Sequence, residues 1–202
     1  MFSKLTPATR AIILVNVLVF IVELLLPRYN WGLFALQPLA TPDQAFRIWQ
    51  LVTYAFLHGG IEHIFFNMFA LYVFGPALES YWGARRFLGY YFVCVIAAGL
   101  TQLAVGYAMG GGEPTIGASG GIFGILFAFA LLFPRARLLL YFAIPVPAWL
   151  FVAGYAVLEL FFGVTGRQAS VAHFAHLGGM LGGALMMLYW RLRSHRGGWR
   201  PT

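Results

Sequence analysis

The chain has 202 residues, of which 61% are apolar and only 9% charged, against about 25% charged in soluble domains. A soluble domain of this size cannot hide so much apolar surface, because a large share of a small domain's area stays exposed. The apolar stretches must meet lipid, which excludes a soluble enzyme, a disordered chain and a disulfide-stapled secreted domain. The formal net charge of +7 is not a nucleic-acid signature. All but one of the basic residues are Arg, set in short gaps between apolar runs and at the C-terminus, as in a membrane topology signal. Cys94 is the only cysteine, so neither a disulfide framework nor a thiolate metal cluster is available.

A membrane span needs about 20 mostly apolar residues. Six stretches qualify: residues 7–26, 62–82, 87–109, 118–133, 147–164 and 169–191. Thr6 and Pro7 read as the cap and first helical residue of the first. No small-x-small cleavage site follows it, and the run ends Leu26-Pro27-Arg28, so it reads as a retained span. Residues 27–61 are long but not hydrophilic. Trp31, Phe34, Phe46, Trp49, Tyr54 and Phe56 suit a segment lying in the outer membrane interface. The third span stops at Gly110-Gly111-Gly112 and the fourth at Pro134. Residues 138–144 are apolar but too short to span, and are expected to form an interfacial piece or an extension of the fifth helix. Residues 192–202 make a basic tail. The expectation is one all-α polytopic membrane domain over residues 1–202, with no internal repeat and no second domain.

Placing the N-terminus inside puts Lys4, Arg10, Arg85, Arg86, Arg135, Arg137, Arg191, Arg193, Arg196 and Arg200 on the inner side. Only Arg28, Arg47 and Arg167 fall outside. Both termini are therefore expected in the cytoplasm, with the chain in the cell (inner) membrane.

Polar groups inside spans are expensive, so they are functional candidates. His63 and Asn67, Ser119, and the pair His173 and His176 stand out. Counted from Arg135 and Arg191, Ser119 and His176 share a depth of roughly 22–24 Å above the inner edge of a core about 30 Å thick. Asn67 lies at roughly 27 Å, with His63 one turn higher. A serine needs a base within hydrogen-bond reach to become nucleophilic, and a histidine can serve. Asn67 and His63, spaced i, i+4, share a helix face and can supply donors to an oxyanion. The Ser119 N–H, free at a helix start, can add another. Gly117, Gly120, Gly121 and Gly124 leave that first turn bare. Gly179 and Gly183, at i+3 and i+7 from His176, allow close helix packing. His173, about 4.5 Å higher than His176, reads as a peripheral polar residue nearer the outer surface and water, so the general base is assigned to His176.

Blander readings stand beside these. G-x-S-G recurs by chance, and a membrane histidine often only bonds a neighbour. Glu79 and Arg86 read as a structural contact, and Cys94 as a small buried apolar residue. Glu23 and Glu159 either mark an ion path or accept a hydrogen bond. Glu159, eight residues before Arg167, is expected to face the outer cavity, in a structural bond in preference to orienting a histidine. A transporter or channel is one rival reading, and predicts that Glu23 or Glu159 pairs with a histidine. The shared depth of several polar groups is what the bland readings explain worst.

Four motifs resemble the rhomboid family of intramembrane serine proteases. His58-Gly-Gly-Ile-Glu-His63, followed by Ile-Phe-Phe-Asn67, resembles the family's second-span motif. Glu79 with Trp82-Gly83-Ala84-Arg85-Arg86 resembles the cytoplasmic end of that helix. Gly117-Ala118-Ser119-Gly120 is similar to the G-x-S-G nucleophile motif, and Ala175-His176 with Gly179 and Gly183 to the A-H-x-x-G-x-x-x-G motif of the last core span. The resemblance covers roughly residues 49–183. It implies a six-helix bundle and a Ser119–His176 dyad with no required carboxylate. It implies oxyanion donors at His63, Asn67 and the Ser119 N–H, no metal or cofactor, and transmembrane helices as substrates. It also implies that the fifth helix and an outer loop gate substrate entry and that the first outer loop lies partly in the membrane. Two departures are visible: Trp49-Gln50 where some members carry Trp-Arg, and Phe123 where some carry a tyrosine. The first puts a loop-anchoring contact in question. Without further domains the chain looks like a simple bacterial form. A rhomboid-like chaperone that binds transmembrane helices without cutting them is the second rival, against which the intact Ser119 and His176 argue.

Overall fold

A computed structural model describes residues 4–39, 45–140, 143–166 and 172–197. The chain is mostly helical. Its helices are α1 (Pro7–Leu25), the single-turn α2 (Gln50–Thr53), α3 (Ile61–Trp82), α4 (Ala84–Ala108), α5 (Ser119–Leu132), α6 (Ala148–Thr165) and α7 (His173–Gly197). Among the described residues, α1, α3, α4 and α6 are long and apolar enough to cross a membrane. α5 has 14 residues, about 21 Å of helix. α7 is long, but His173, His176, Gly178, Gly179, Gly182 and Gly183 dilute its apolar character. The burial is inverted relative to a soluble protein. Asn16, Asn67, Glu159 and His176 are buried, while Leu18 and Leu25 of α1 and Val157 and Leu160 of α6 are exposed. Lipid is the medium that makes this arrangement favourable.

Glycine lets α7 lie against both α4 and α5. A methyl group at Gly182 would collide with Ala97 of α4, and one at Gly179 with the Gly120 carbonyl of α5. With no apolar driving force between helices in lipid, such close backbone approach supplies the packing. The core around this contact holds Phe87, Tyr90, Tyr91 and Cys94 of α4 with Ile125 of α5.

α1 is fastened by its start. Pro7 opens the helix, but the Thr6 hydroxyl does not cap its own helix. It donates instead to Glu79 of α3. The same carboxylate accepts the Ala8 N–H at 2.8 Å, the Thr9 N–H at 2.7 Å and the Thr9 hydroxyl at 2.9 Å. An anion thus sits at a helix N-terminus, where free N–H groups and the helix dipole favour it.

Three elements differ from the sequence expectation. The described residues of the 138–144 stretch are strand and do not extend the following helix. β1 (Arg137–Leu140) and β2 (Ile144–Pro147) form an antiparallel hairpin pairing Arg137 with Pro147 and Leu140 with Ile144. Pro145 and Pro147 lack the N–H a helix interior needs, so α6 starts only at Ala148. The last helix runs on through Arg191 to Gly197, because Arg and Leu are good helix formers and no breaker intervenes. The proposed start of that span at residues 169–171 and the tail's end at 198–202 lie outside the described residues. In the first loop, Gln50 is itself an anchor. Its Oε1 accepts the Gln37 N–H at 3.2 Å and the Arg47 N–H at 3.1 Å, and its Nε2 donates to the Leu33 carbonyl at 3.2 Å.

Candidate active site

Ser119 is the first residue of α5. Gly117, two residues earlier, has φ +117°, and a Cβ there would sit 2.6 Å from the His63 Nε2. Only glycine gives both the backbone angle and the room. The Gly117 N–H is held by the Tyr54 carbonyl at 2.9 Å, and the Tyr54 hydroxyl donates to the Val95 carbonyl at 2.7 Å. The turn before Ser119 is therefore tied to α4 through the first loop. Gly120 and Gly121 let Ala98 and Tyr91 of α4 come close enough that a Cβ at either glycine would lie 2.5 Å away.

His176 sits one turn into α7. Its Nε2 lies 2.7 Å from the Ser119 Oγ, and the Phe123 ring stacks on it at 4.1 Å and 8°. Phe123 thus retains the ring contact in the absence of a hydroxyl. His63 accepts the Gly59 N–H on Nδ1 at 3.3 Å, which leaves its proton on Nε2, the nitrogen that faces Gly117. Asn67 donates to the His63 carbonyl at 3.0 Å. That uses one of its two amide protons and leaves the other.

Two clefts meet at Ser119. One, of about 1010 Å³, is lined by Asn67, Phe74, Phe123, Phe151 and Tyr155 and reaches the hairpin at Leu138. It is an apolar groove between α3 and α6. The other, of about 860 Å³, is lined by His63, Gln102, Glu113, Thr115 and His176 and has a more polar wall. Ser119 therefore lies with His63 and His176 on one side and with Asn67 on the other.

His173 is not peripheral. It is 5% exposed, and its Nδ1 lies 2.6 Å from the Glu159 Oε2. Three-residue spacing kept it on the face of α7 that carries His176, and α6 covers that face. The same Oε2 is 3.0 Å from His176 Nδ1, without hydrogen-bond alignment. This convergence of Glu159 on two histidines was not evident in the sequence. Its signal was the His173-x-x-His176 spacing together with an intramembrane carboxylate. Glu23, the other such carboxylate, accepts the His58 backbone N–H at 3.2 Å.

His58 lies in the loop ahead of α3 and is 4% exposed. Burial and the neighbouring His63 ring push its pKa down to about 4, against a smaller upward pull from the Phe56 backbone. Among the described residues no group of three or more His, Cys, Asp or Glu side chains is arranged to hold a metal ion.

Residues 45–193 match the Rhomboid domain family model. The chain is similar to Rhomboid protein 1, mitochondrial, of Saccharomyces cerevisiae, 38% identical over 67% of this chain and 40% of that protein. It is similar to RHOMBOID-like protein 12, mitochondrial, of Arabidopsis thaliana, 33% identical over 74% of this chain and 48% of that protein. Rhomboid protease GluP of Bacillus subtilis is 33% identical over 67% of this chain and 24% of its own length. The chain spans less than half the length of each of these relatives. With the family model covering well over half of its residues, the chain belongs to the rhomboid family and is a multi-pass membrane protein.

Proposed function

We propose that the chain is an intramembrane serine endopeptidase that cleaves transmembrane segments near their outer end. The observation that carries this reading is the 2.7 Å contact between Ser119 Oγ and His176 Nε2, set where an apolar groove meets a more polar cleft. The groove suits an apolar substrate segment entering from lipid between α3 and α6. The polar cleft suits the water that hydrolysis needs. A helix hides its carbonyls in i→i−4 bonds, so the substrate segment unwinds locally to reach Ser119.

His176 Nε2 takes the hydroxyl proton as Ser119 Oγ bonds to the scissile carbonyl carbon. The Ser119 N–H, the His63 Nε2–H and the Asn67 amide stabilise the oxyanion. His176 then gives its proton to the departing amine as the C–N bond breaks. A water from the polar cleft, deprotonated by His176, attacks the acyl-enzyme and frees Ser119. No metal or cofactor takes part.

The topology belongs to the same proposal. Six spans run with α5 and α7 inside the bundle, both termini cytoplasmic, and residues 27–61 in the outer interface. An α5 of about 21 Å ending at the inner side starts below the outer surface of a core about 30 Å thick. One observation favours transport as a second reading, since Glu159 does pair with His173. The family match and the Ser119–His176 contact favour proteolysis, and ion flux in vesicles separates the two.

A fluorophosphonate serine probe on purified protein tests the mechanism. Labelling of the wild type and none of Ser119→Ala or His176→Ala is the expected result. A wild type that resists the probe while cleaving a transmembrane substrate would remove the serine mechanism.

A further inference from the structure

Among the described residues, Glu159 is the carboxylate that reaches the proposed dyad. It sits on α6, 7% exposed, four residues after Tyr155, which lines the apolar groove. A buried carboxylate is costly unless polar partners meet it, and two histidine nitrogens lie beside it. His173 Nδ1 approaches Oε2 at 2.6 Å and His176 Nδ1 approaches the same oxygen at 3.0 Å. On its other edge His176 Nε2 faces Ser119 at 2.7 Å. A neutral imidazole carries one proton. The carboxylate oxygen beside Nδ1 draws that proton there and leaves the Nε2 lone pair toward the Ser119 hydroxyl.

We infer that Glu159 is a positioning residue for His176. It selects the Nδ1–H tautomer and faces the imidazolium that forms when Ser119 gives up its proton, while His173 holds the carboxylate in place. This rests on the dyad reading above and adds to it a third group from a separate helix. Three contacts then hold the His176 ring. Phe123 stacked at 4.1 Å sets its plane, Ser119 meets one edge, and Glu159 meets the other. In the reaction the proton moves from Ser119 Oγ to His176 Nε2 and on to the leaving amine. Glu159 takes no proton. Its contact with Nδ1–H passes from 3.0 Å without alignment to a charge-assisted bond as the ring becomes positive, as catalytic contacts that are loose at rest tighten along the reaction.

The test uses the full chain in detergent or proteoliposomes. Glu159→Gln replaces the acceptor with an amide that can donate to Nδ1 and so favours the wrong tautomer. The expected result is a fall in kcat and in the rate of Ser119 probe labelling of about 100-fold, with KM within about two-fold, the signature of tautomer loss with binding intact. Glu159→Asp, which keeps the charge, should restore part of kcat. Wild-type kcat and labelling in Glu159→Gln would overturn the inference and leave the dyad standing. A wild type that neither labels nor cleaves would overturn both. A measurement on the wild type covers the case in which Glu159→Gln does not fold. In 15N-histidine NMR the His176 Nδ1 should carry the proton and Nε2 should be bare, and a proton on Nε2 would overturn the inference.

Discussion

The sharpest structural lever on the site lies outside it, at Gly179. Replacing it with alanine puts a methyl group against the Gly120 carbonyl, with the carbonyl carbon 2.8 Å away where ordinary contact is 3.4–4 Å. The obstacle is backbone, so no side chain can swing aside. The carbonyl oxygen lies nearer still, so relief requires α5 and α7 to part by more than about 1 Å. Ser119 is next to Gly120 on α5, and His176 is three residues before Gly179 on α7. The parting stretches their 2.7 Å contact past about 3.5 Å, beyond hydrogen-bond reach. A displacement of that size costs about 10²-fold in rate, and overpacking costs about 1–3 kcal/mol of stability. Gly154→Ala on α6 is the control: nothing lies within 4 Å of its Cβ, and the added methyl favours the helix by about 1 kcal/mol. Probe-labelling rates and thermal unfolding in detergent measure both effects. A Gly179→Ala protein that labels at the wild-type rate would refute the view that this backbone contact sets the distance between base and nucleophile.

Asn67→Ala removes one proposed oxyanion donor and should lower kcat by about 10²–10³-fold; turnover equal to wild type would remove Asn67 from that role. Glu79→Ala strands the donors of Thr6, Ala8 and Thr9. It should cost about 1–3 kcal/mol of stability, with probe labelling per folded molecule unchanged. His58 gives a pH signature. Its folded pKa of about 4 lies below the ordinary 6.5, so folding favours the neutral ring and the two states differ little above pH 6.5. As the pH falls from 6.5 toward 4 only the unfolded chain takes up this proton, and up to about 3 kcal/mol of stability is lost. His58→Phe should flatten that acid loss in thermal unfolding, and an unchanged pH profile would show that His58 does not titrate in this way.

Much of the arrangement was legible in the sequence because membrane helices carry their constraints locally. The apolar runs gave α1, α3, α4 and α6 to within a few residues, since length and composition decide whether a segment can cross lipid. Ser119 and His176 share an estimated depth, and the glycines beside them point to close helix packing. What stayed hidden depends on which helices become neighbours. Glu159 was visible as an intramembrane carboxylate, but its partners lie on α7, and no spacing along α6 reveals that. His173 was placed near water by height alone, while rotation about the α7 axis is what buries it. The hairpin at Arg137–Leu140 and Ile144–Pro147 was missed because a short apolar run reads alike as helix or strand, and the prolines that decide it lie at its end. Gln50 looked like a lost arginine. Its amide accepts and donates at once, a role set by where the first loop folds back.

The central claim is that Ser119 cuts a transmembrane segment from within the membrane, and one reconstitution tests it most directly. Purified protein in proteoliposomes with a single-span substrate, its products sized by mass spectrometry, reports both the cut and its depth. Cleavage inside the substrate's outer third by the wild type, with an intact substrate for Ser119→Ala, is the result expected. Cleavage that persists in Ser119→Ala, or a cut in the substrate's cytoplasmic half, would contradict it.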